Sequence, residues 1–218
     1  MKILKNKNFK LLIILLFLLC IYVFINAYFY VSNVSKDLQK SVFRLHVIAN
    51  SNSIEDQKLK YTVRDNVIQY METLCNNSNS KEETIDIVSN HLQDFTDIAN
   101  NTITENGFSY NATVSLGNFE FPTKTYGDIS FPSGYYDALK IQLGNATGKN
   151  WWCVLYPSLC FIDVTSGIVP DNSKENLKEN LNEEEYKLIS ENNNTPIQIK
   201  IKFIEFFTQN NIITAKNL

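Results

Sequence analysis

Residues 11–25 (LLIILLFLLCIYVFI) run for fifteen positions without a charge, and Lys2, Lys5, Lys7 and Lys10 stand just before them. This segment constrains the chain more than any other. Thirteen of the fifteen are Leu, Ile, Phe or Val. At roughly −0.3 to −0.6 kcal/mol each, their insertion into a bilayer is favoured by about 4–8 kcal/mol. Apolarity on every side, next to clustered lysines, argues against a buried core helix. Four lysines before the segment, and no charge after it until Lys36, predict that the N-terminus stays cytoplasmic and that the chain from about Ser32 is exported. Fifteen helical residues reach only about 22 Å of a roughly 30 Å hydrocarbon layer. Continuing through Val31, with Asn26 as the one polar break, completes a span. No small-x-small pair marks a cleavage point. Residues 1–31 therefore read as a signal peptide or a signal-anchor helix, and residues 32–218 as a single exported domain.

That domain is long enough for a real core. Without the four leading lysines, 16 of the 20 basic residues remain against 23 acidic ones, a net charge of −7. Such a surface disfavours nucleic acid and gives no polybasic grip on anionic lipid. Asn fills 28 of 218 positions, a bias of AT-rich coding that suits a low-GC bacterium.

Residues 43–49 alternate, with Phe43, Leu45, Val47 and Ala49 opposite Arg44, His46 and Ile48, which predicts a half-buried strand. Ser53 and Asp56 make a capping arrangement. Leu59, Val63, Val67, Tyr70 and Leu74 then predict an amphipathic helix over about 54–74. Ser80 with Glu83 opens a second helix carrying Ile85, Val88, Leu92, Phe95 and Ala99, with Gly107 as its stop. Tyr110, Ala112, Val114 and Leu116 alternate again. Gly117-Asn118 predicts a hairpin turn, with Phe119 and Phe121 on the return. Leu139, Ile141 and Leu143 form a further strand. Residues 151–156, apolar on both faces, read as a central strand. Residues 173–191 read as helical with a break near Asn182, residues 197–203 as a last strand, and residues 204–207 as the start of a short terminal helix. One strand, two helices and then mostly strands predict an α+β fold: a mostly antiparallel sheet with helices packed on one face, preceded by the export segment.

Chemistry is sparse. No His-x-x-His, Glu-x-x-His, Cys-x-x-Cys, Gly-rich phosphate loop or Gly-x-Ser-x-Gly elbow occurs, so no metal, cofactor or small-molecule substrate is expected. His91 reads as a helix-boundary residue and His46 as a strand residue bonded to the next turn. A Cys–His nucleophile would need Cys153 or Cys160 beside His46, but a thiol inside an apolar strand is usually an inert core group. Cys153 and Cys160 suit a disulfide better. Seven residues apart in one extended strand, they would lie about 23 Å from each other, so the chain must reverse, and Tyr156-Pro157-Ser158 offers the turn. A bridge closing so small a ring contributes about 2.5 kcal/mol. The alternative is two packed thiols. Trp151 and Trp152, with Tyr126, Tyr135 and Tyr136, offer either core packing or a sugar platform.

Three segments taken together resemble one bacterial family, the stage II sporulation protein R family: FRLHVIANSNSIEDQKLKYTVRD (43–65), NFEFPTKTYGDISFPSGYYDALKIQLG (118–144) and GKNWWCVLYPSLCF (148–161). LNEEEY at 181–186 and KIKFIEFF at 200–207 fit as well, while Asn52 and the Tyr135-Tyr136 pair depart from its pattern. The resemblance implies a non-enzymatic signal. Such proteins are exported from the forespore into the space between forespore and mother-cell membranes. There they activate a membrane-embedded aspartic protease, their receptor, which processes pro-sigma-E in the mother cell. An exported envelope hydrolase or cell-wall-binding module is the alternative. For the receptor contact, the loop 122–134 offers a cation, an aromatic and an anion in Lys124, Tyr126 and Asp128. His46 with Asn50 and the following turn is a second candidate.

Overall fold

The computed structural model describes residues 7–159, 169 and 171–190. It is an α+β fold of six helices and six strands among these residues. Helix α1 (Lys7–Ser41) runs unbroken from the apolar segment into the body of the protein. Side chains 11–25 are exposed, whereas Val34 and Leu38 are buried. The expected span thus continues about ten residues further as a helix, because those residues find a hydrophobic core. Its C-terminal carbonyls are capped by Lys81, whose Nζ donates to Lys40 O at 2.6 Å.

Strand β1 (Phe43–Ile48) is buried along its whole length. Helix α2 (Ile54–Cys75) starts at Ser53, whose hydroxyl accepts the Asp56 N–H. The expected second helix is two, α3 (Lys81–Asn90) and α4 (Leu92–Glu105), broken at His91. One residue of non-helical backbone leaves the apolar stripe in phase, so Val88, Phe95 and Ala99 all reach the core. Gly107 ends α4 at φ +82°. Its N–H bonds Thr104 O and the Phe108 N–H bonds Ile103 O, the doubled closure that only a left-handed residue permits without strain.

Strands β2 (Ala112–Phe121), β3 (Lys124–Tyr126), β4 (Ile129–Phe131), β5 (Gly134–Leu143) and β6 (Asn150–Tyr156) complete the sheets. The order β2-β5-β1-β6 makes one four-stranded sheet, and β3-β4 make a hairpin. β1 runs parallel to β5; the other pairings are antiparallel.

Two expectations change here. There is no turn at Gly117-Asn118: β2 continues through it, pairing with β5 in unbroken register from Ala112 to Phe121. Ala112, Val114 and Leu116 pack into one core and Phe119 and Phe121 into the other. The apolar set switches faces midway along one straight strand, and a change of phase imitates a turn. The second correction concerns β6. Among the described residues it is an end strand, and the central strand is β1. Its two-sided burial comes from layers above and below the sheet, not from strands on both sides.

Helices α2–α4 cover one face over Leu45, Val47, Leu139, Ile141 and Cys153. The other face is covered as well, by the β3-β4 hairpin, the end of α1, and helices α5 (Asp171–Asn180) and α6 (Glu183–Ile189). The break near Asn182 is present, and Asn182 opens α6 with a capping box to Glu185. The strand 197–203 and terminal helix 204–207 lie outside the described residues.

Candidate functional site

On β1, Arg44 and His46 point to the hairpin face, opposite Phe43, Leu45 and Val47. Arg44 is wholly buried, and among the described residues no carboxylate lies beside it. Its guanidinium lies 4.3 Å from the ring centre of Phe121, 4.8 Å from Tyr136 and 5.6 Å from Phe131. Nη2 donates to the Tyr126 hydroxyl at 3.0 Å and Nε to Cys153 O at 3.4 Å; Nη1 has no partner among the described residues. An unpaired buried charge costs several kcal/mol. Here three aromatic faces replace the anion, each supplying up to about 2 kcal/mol when desolvated.

His46, 6 % exposed, stacks on Trp152 at 3.6 Å and 18°. Its Nε2 lies 2.8 Å from Asn150 Oδ1. Since that oxygen only accepts, Nε2 carries the proton and Nδ1 is a buried lone pair without a donor. Burial drives the His46 pKa down to about 4, with Lys140 and Arg44 pushing the same way against the Asn150 bond. At neutral pH the ring is uncharged.

The hairpin β3-β4 places the other candidates. Tyr126 turns inward: its hydroxyl donates to Trp152 O at 2.9 Å, and burial raises its pKa. Ile129 and Phe131 are core residues, so loop 122–134 is a folded flap, not a free loop. Lys124 is half-buried in β3. Asp128, in the hairpin turn, pairs with Lys174 of α5 at 2.7 Å. Lys124 shares the Tyr126 face of β3, opposite the exposed Thr125, and Asp128 sits in the turn, so the expected trio does not form one outward-facing patch.

Asn50 lies at the opposite end of β1. Its Oδ1 accepts the Asn145 N–H at 2.9 Å, its carbonyl accepts Thr147, and its Nδ2 donates to Asp56 Oδ2 at 2.9 Å. Asp56 is buried and also accepts from Ser51 (2.5 Å) and Tyr110 (2.6 Å). Burial alone would raise its pKa, but these bonds outweigh burial and hold it below the usual range. Asn50 therefore clasps the β5–β6 loop. Gly144 allows this: at φ +51°, a Cβ there would fall 2.3 Å from Asn50 Oδ1. His46 and Asn50 are not joined by any described contact, so the structure does not assemble them into one patch.

Cys153 is bonded in a disulfide, and Cys20 and Cys75 are free thiols. The chain reverses after β6 as the bridge requires, with Leu159 N–H returning to Val154 O; Cys160 itself lies outside the described residues. Cys153 packs with the α2–α4 core, on the other side of the sheet from His46. No thiol–imidazole pair is built from them. Among the described residues no three His, Cys, Asp or Glu side chains converge as metal ligands.

Sequence reasoning missed the role of Arg44. The signal was present: two polar residues two apart, within an otherwise apolar strand, share one face.

A family model described as stage II sporulation protein R matches residues 39–166, which span the end of α1, the whole four-stranded sheet and every candidate residue above. A protein of Bacillus subtilis (strain 168) named Stage II sporulation protein R is 40% identical over 124 residues. The alignment covers 57% of this chain and 55% of that protein, about half the length of each. No solved structure matches the chain. With the family model matching more than half of its length, across the sheet and both polar clusters, the chain belongs to the stage II sporulation protein R family.

Proposed function

We propose that this chain is an exported sporulation signal. Its domain acts outside the producing forespore, between the two membranes, and activates a membrane-embedded aspartic protease that processes pro-sigma-E in the mother cell. Family membership supports the sporulation role. The observation that carries export is α1: long and apolar enough to cross a membrane by length and composition, it emerges with exposed apolar side chains and ends in the domain core. Whatever the fate of its first 31 residues, the positive-inside rule puts the domain on the far side. Activation in this reading is binding, since a ligand shifts an equilibrium only by its differential affinity for two states. A rigid, doubly covered sheet suits that task. The neutral, stacked His46 and the bonded Cys153 supply no nucleophile pair for the hydrolase alternative.

The test is co-expression with the cognate protease and pro-sigma factor in a non-sporulating host. Processing should require this chain and its N-terminal segment. Processing that persists without the chain removes the activator role. A C-terminal reporter that stays protected from external protease removes export.

A further inference from the structure

A second cluster of cations and rings lies where α2 crosses the start of β6, on the sheet face away from the hairpin. Lys60 is 1 % exposed, yet among the described residues no carboxylate meets it. Its Nζ donates to Gln57 Oε1 at 2.8 Å and Lys149 O at 3.2 Å, and lies 4.6 Å from the Tyr61 ring centre. A second buried lysine, Lys81, has its counter-ion in Asp137 at 2.6 Å. Lys60 instead has Arg64 and Lys149 as charged neighbours. Burial first, and then these two cations, push its pKa down to about 8. Arg64 lies 4.2 Å from the ring centre of Trp151 and 5.0 Å from that of Tyr61, and among the described residues it pairs only with the exposed Asp65. Tyr61 and Trp151 meet edge to face at 5.6 Å and 87°. Tyr61 is 41 % exposed, and the indole Nε1 of Trp151 is buried without an acceptor.

Arg44 manages its buried charge with three ring faces. Lys60 has one ring and two like charges, so its surroundings lack an anion. The missing anion and the available surface coincide. Trp, Tyr and Arg are the side chains that most often dominate protein interfaces, and these three hold one another rigid, which lowers the entropy cost of docking.

We propose that Lys60, Tyr61, Arg64, Lys149 and Trp151 form a docking surface for an acidic segment of a partner protein. A carboxylate of that segment meets Arg64 and the exposed Lys149 above the buried Lys60, whose charge it offsets at short range, and an adjacent apolar side chain packs in the corner between Tyr61 and Trp151. Charge complementarity selects a short acidic segment over a polyanion. Three cations attract one or two carboxylates locally, while the net −7 of the exported part repels an extended phosphate chain. The proposal deepens the signalling reading and rests on it for the partner's identity.

The experiment uses the full chain in detergent micelles and two capped nonapeptides. One alternates Asp and Glu with Ser around a central Phe; the other replaces each acid by Asn or Gln. Titration calorimetry should show the acidic peptide binding at least tenfold tighter, about 1.4 kcal/mol, with the preference falling as salt rises. Lys149→Gln, at an exposed position, should weaken the preference without lowering the thermal midpoint, and Arg64→Gln with Lys149→Gln should erase it in a chain that circular dichroism shows to be folded. Equal binding of the two peptides, or a preference that survives these substitutions, overturns the surface. In the co-expression host, Arg64→Glu with Lys149→Glu should abolish processing, and full processing by that variant overturns the surface as the receptor contact. A peptide preference that holds while the unaltered chain fails to trigger processing overturns the signalling reading alone.

Discussion

The Arg44 guanidinium donates to the Tyr126 hydroxyl across 3.0 Å, and that hydroxyl passes the bond on to Trp152 O at 2.9 Å. Three strands, β1, β3 and β6, are tied through one phenol oxygen. Tyr126 thus holds the flap on the sheet through its hydroxyl. Tyr126→Phe leaves a buried Arg44 donor and the Trp152 carbonyl unpaired, and should cost about 2–3 kcal/mol in a denaturant titration of the full chain. Lys124→Ala, at a half-buried position, and Asp128→Asn, which loses only the partly exposed pair with Lys174, should each change stability by under about 1 kcal/mol. If the flap is the receptor epitope, those two alone should reduce processing in the co-expression host.

His46 makes stability depend on pH. Its folded pKa is lowered to about 4 from 6.5, so the unfolded chain takes up the proton first. The stabilising contribution is complete above about pH 6.5 and is lost as pH falls toward 4. Between pH 7 and 4.5 the native chain should lose on the order of 2 kcal/mol more than His46→Gln, which does not titrate. Equal losses in both would mean that the imidazole is solvated.

The end of α1 belongs to the domain. Leu38 is fully buried, and a Cβ at Gly134 would meet Gln39 Nε2 at 2.5 Å, so this turn of helix seats on the start of β5. Leu38→Ala should cost about 2–5 kcal/mol. A chain beginning at Ser32 should melt cooperatively. One beginning at Phe43 should lose that transition, since Val34, Leu38 and Val42 leave the core and Lys81 loses the Lys40 carbonyl.

Cysteine reactivity is also open to measurement. Without reductant, mass spectrometry of the unfolded chain should find Cys75 alkylated and Cys153 protected in a peptide linked to Cys160. In the folded chain Cys75 should react slowly, because burial, and then Glu83, raise its thiol pKa. Finding Cys153 free, or joined to Cys75, would refute the pairing.

Much of this architecture is written locally. The strand at residues 43–48, the stripes on α2 and α4, the Ser53 and Ser80 caps and the Gly107 stop each depend on neighbours within a turn or two, and each stands in the structure, although β1 is buried on both faces and not half-buried as its alternation predicts. The misreadings share one cause. At Gly117-Asn118 the apolar set changes faces because one half of β2 lies under α4 and the other under the hairpin flap, and local periodicity cannot tell a change of covering layer from a turn. His91 breaks a helix whose stripe stays in phase, so periodicity passes straight over it. The candidate residues fared unevenly for the same reason. Asp128 sits in the hairpin turn, but whether the β3 face that carries Lys124 and Tyr126 meets solvent or sheet depends on an arginine 82 positions away.

The amino-acid order alone determined that a charge-flanked greasy segment leads an acidic α+β body, because insertion energy and side-chain periodicity are properties of contiguous residues. Only the tertiary structure decided which cations are buried without an anion. Arg44 and Lys60 occupy unremarkable positions in a strand and a helix, and their cost and their use arise from rings and carbonyls that folding brings from β6 and the flap.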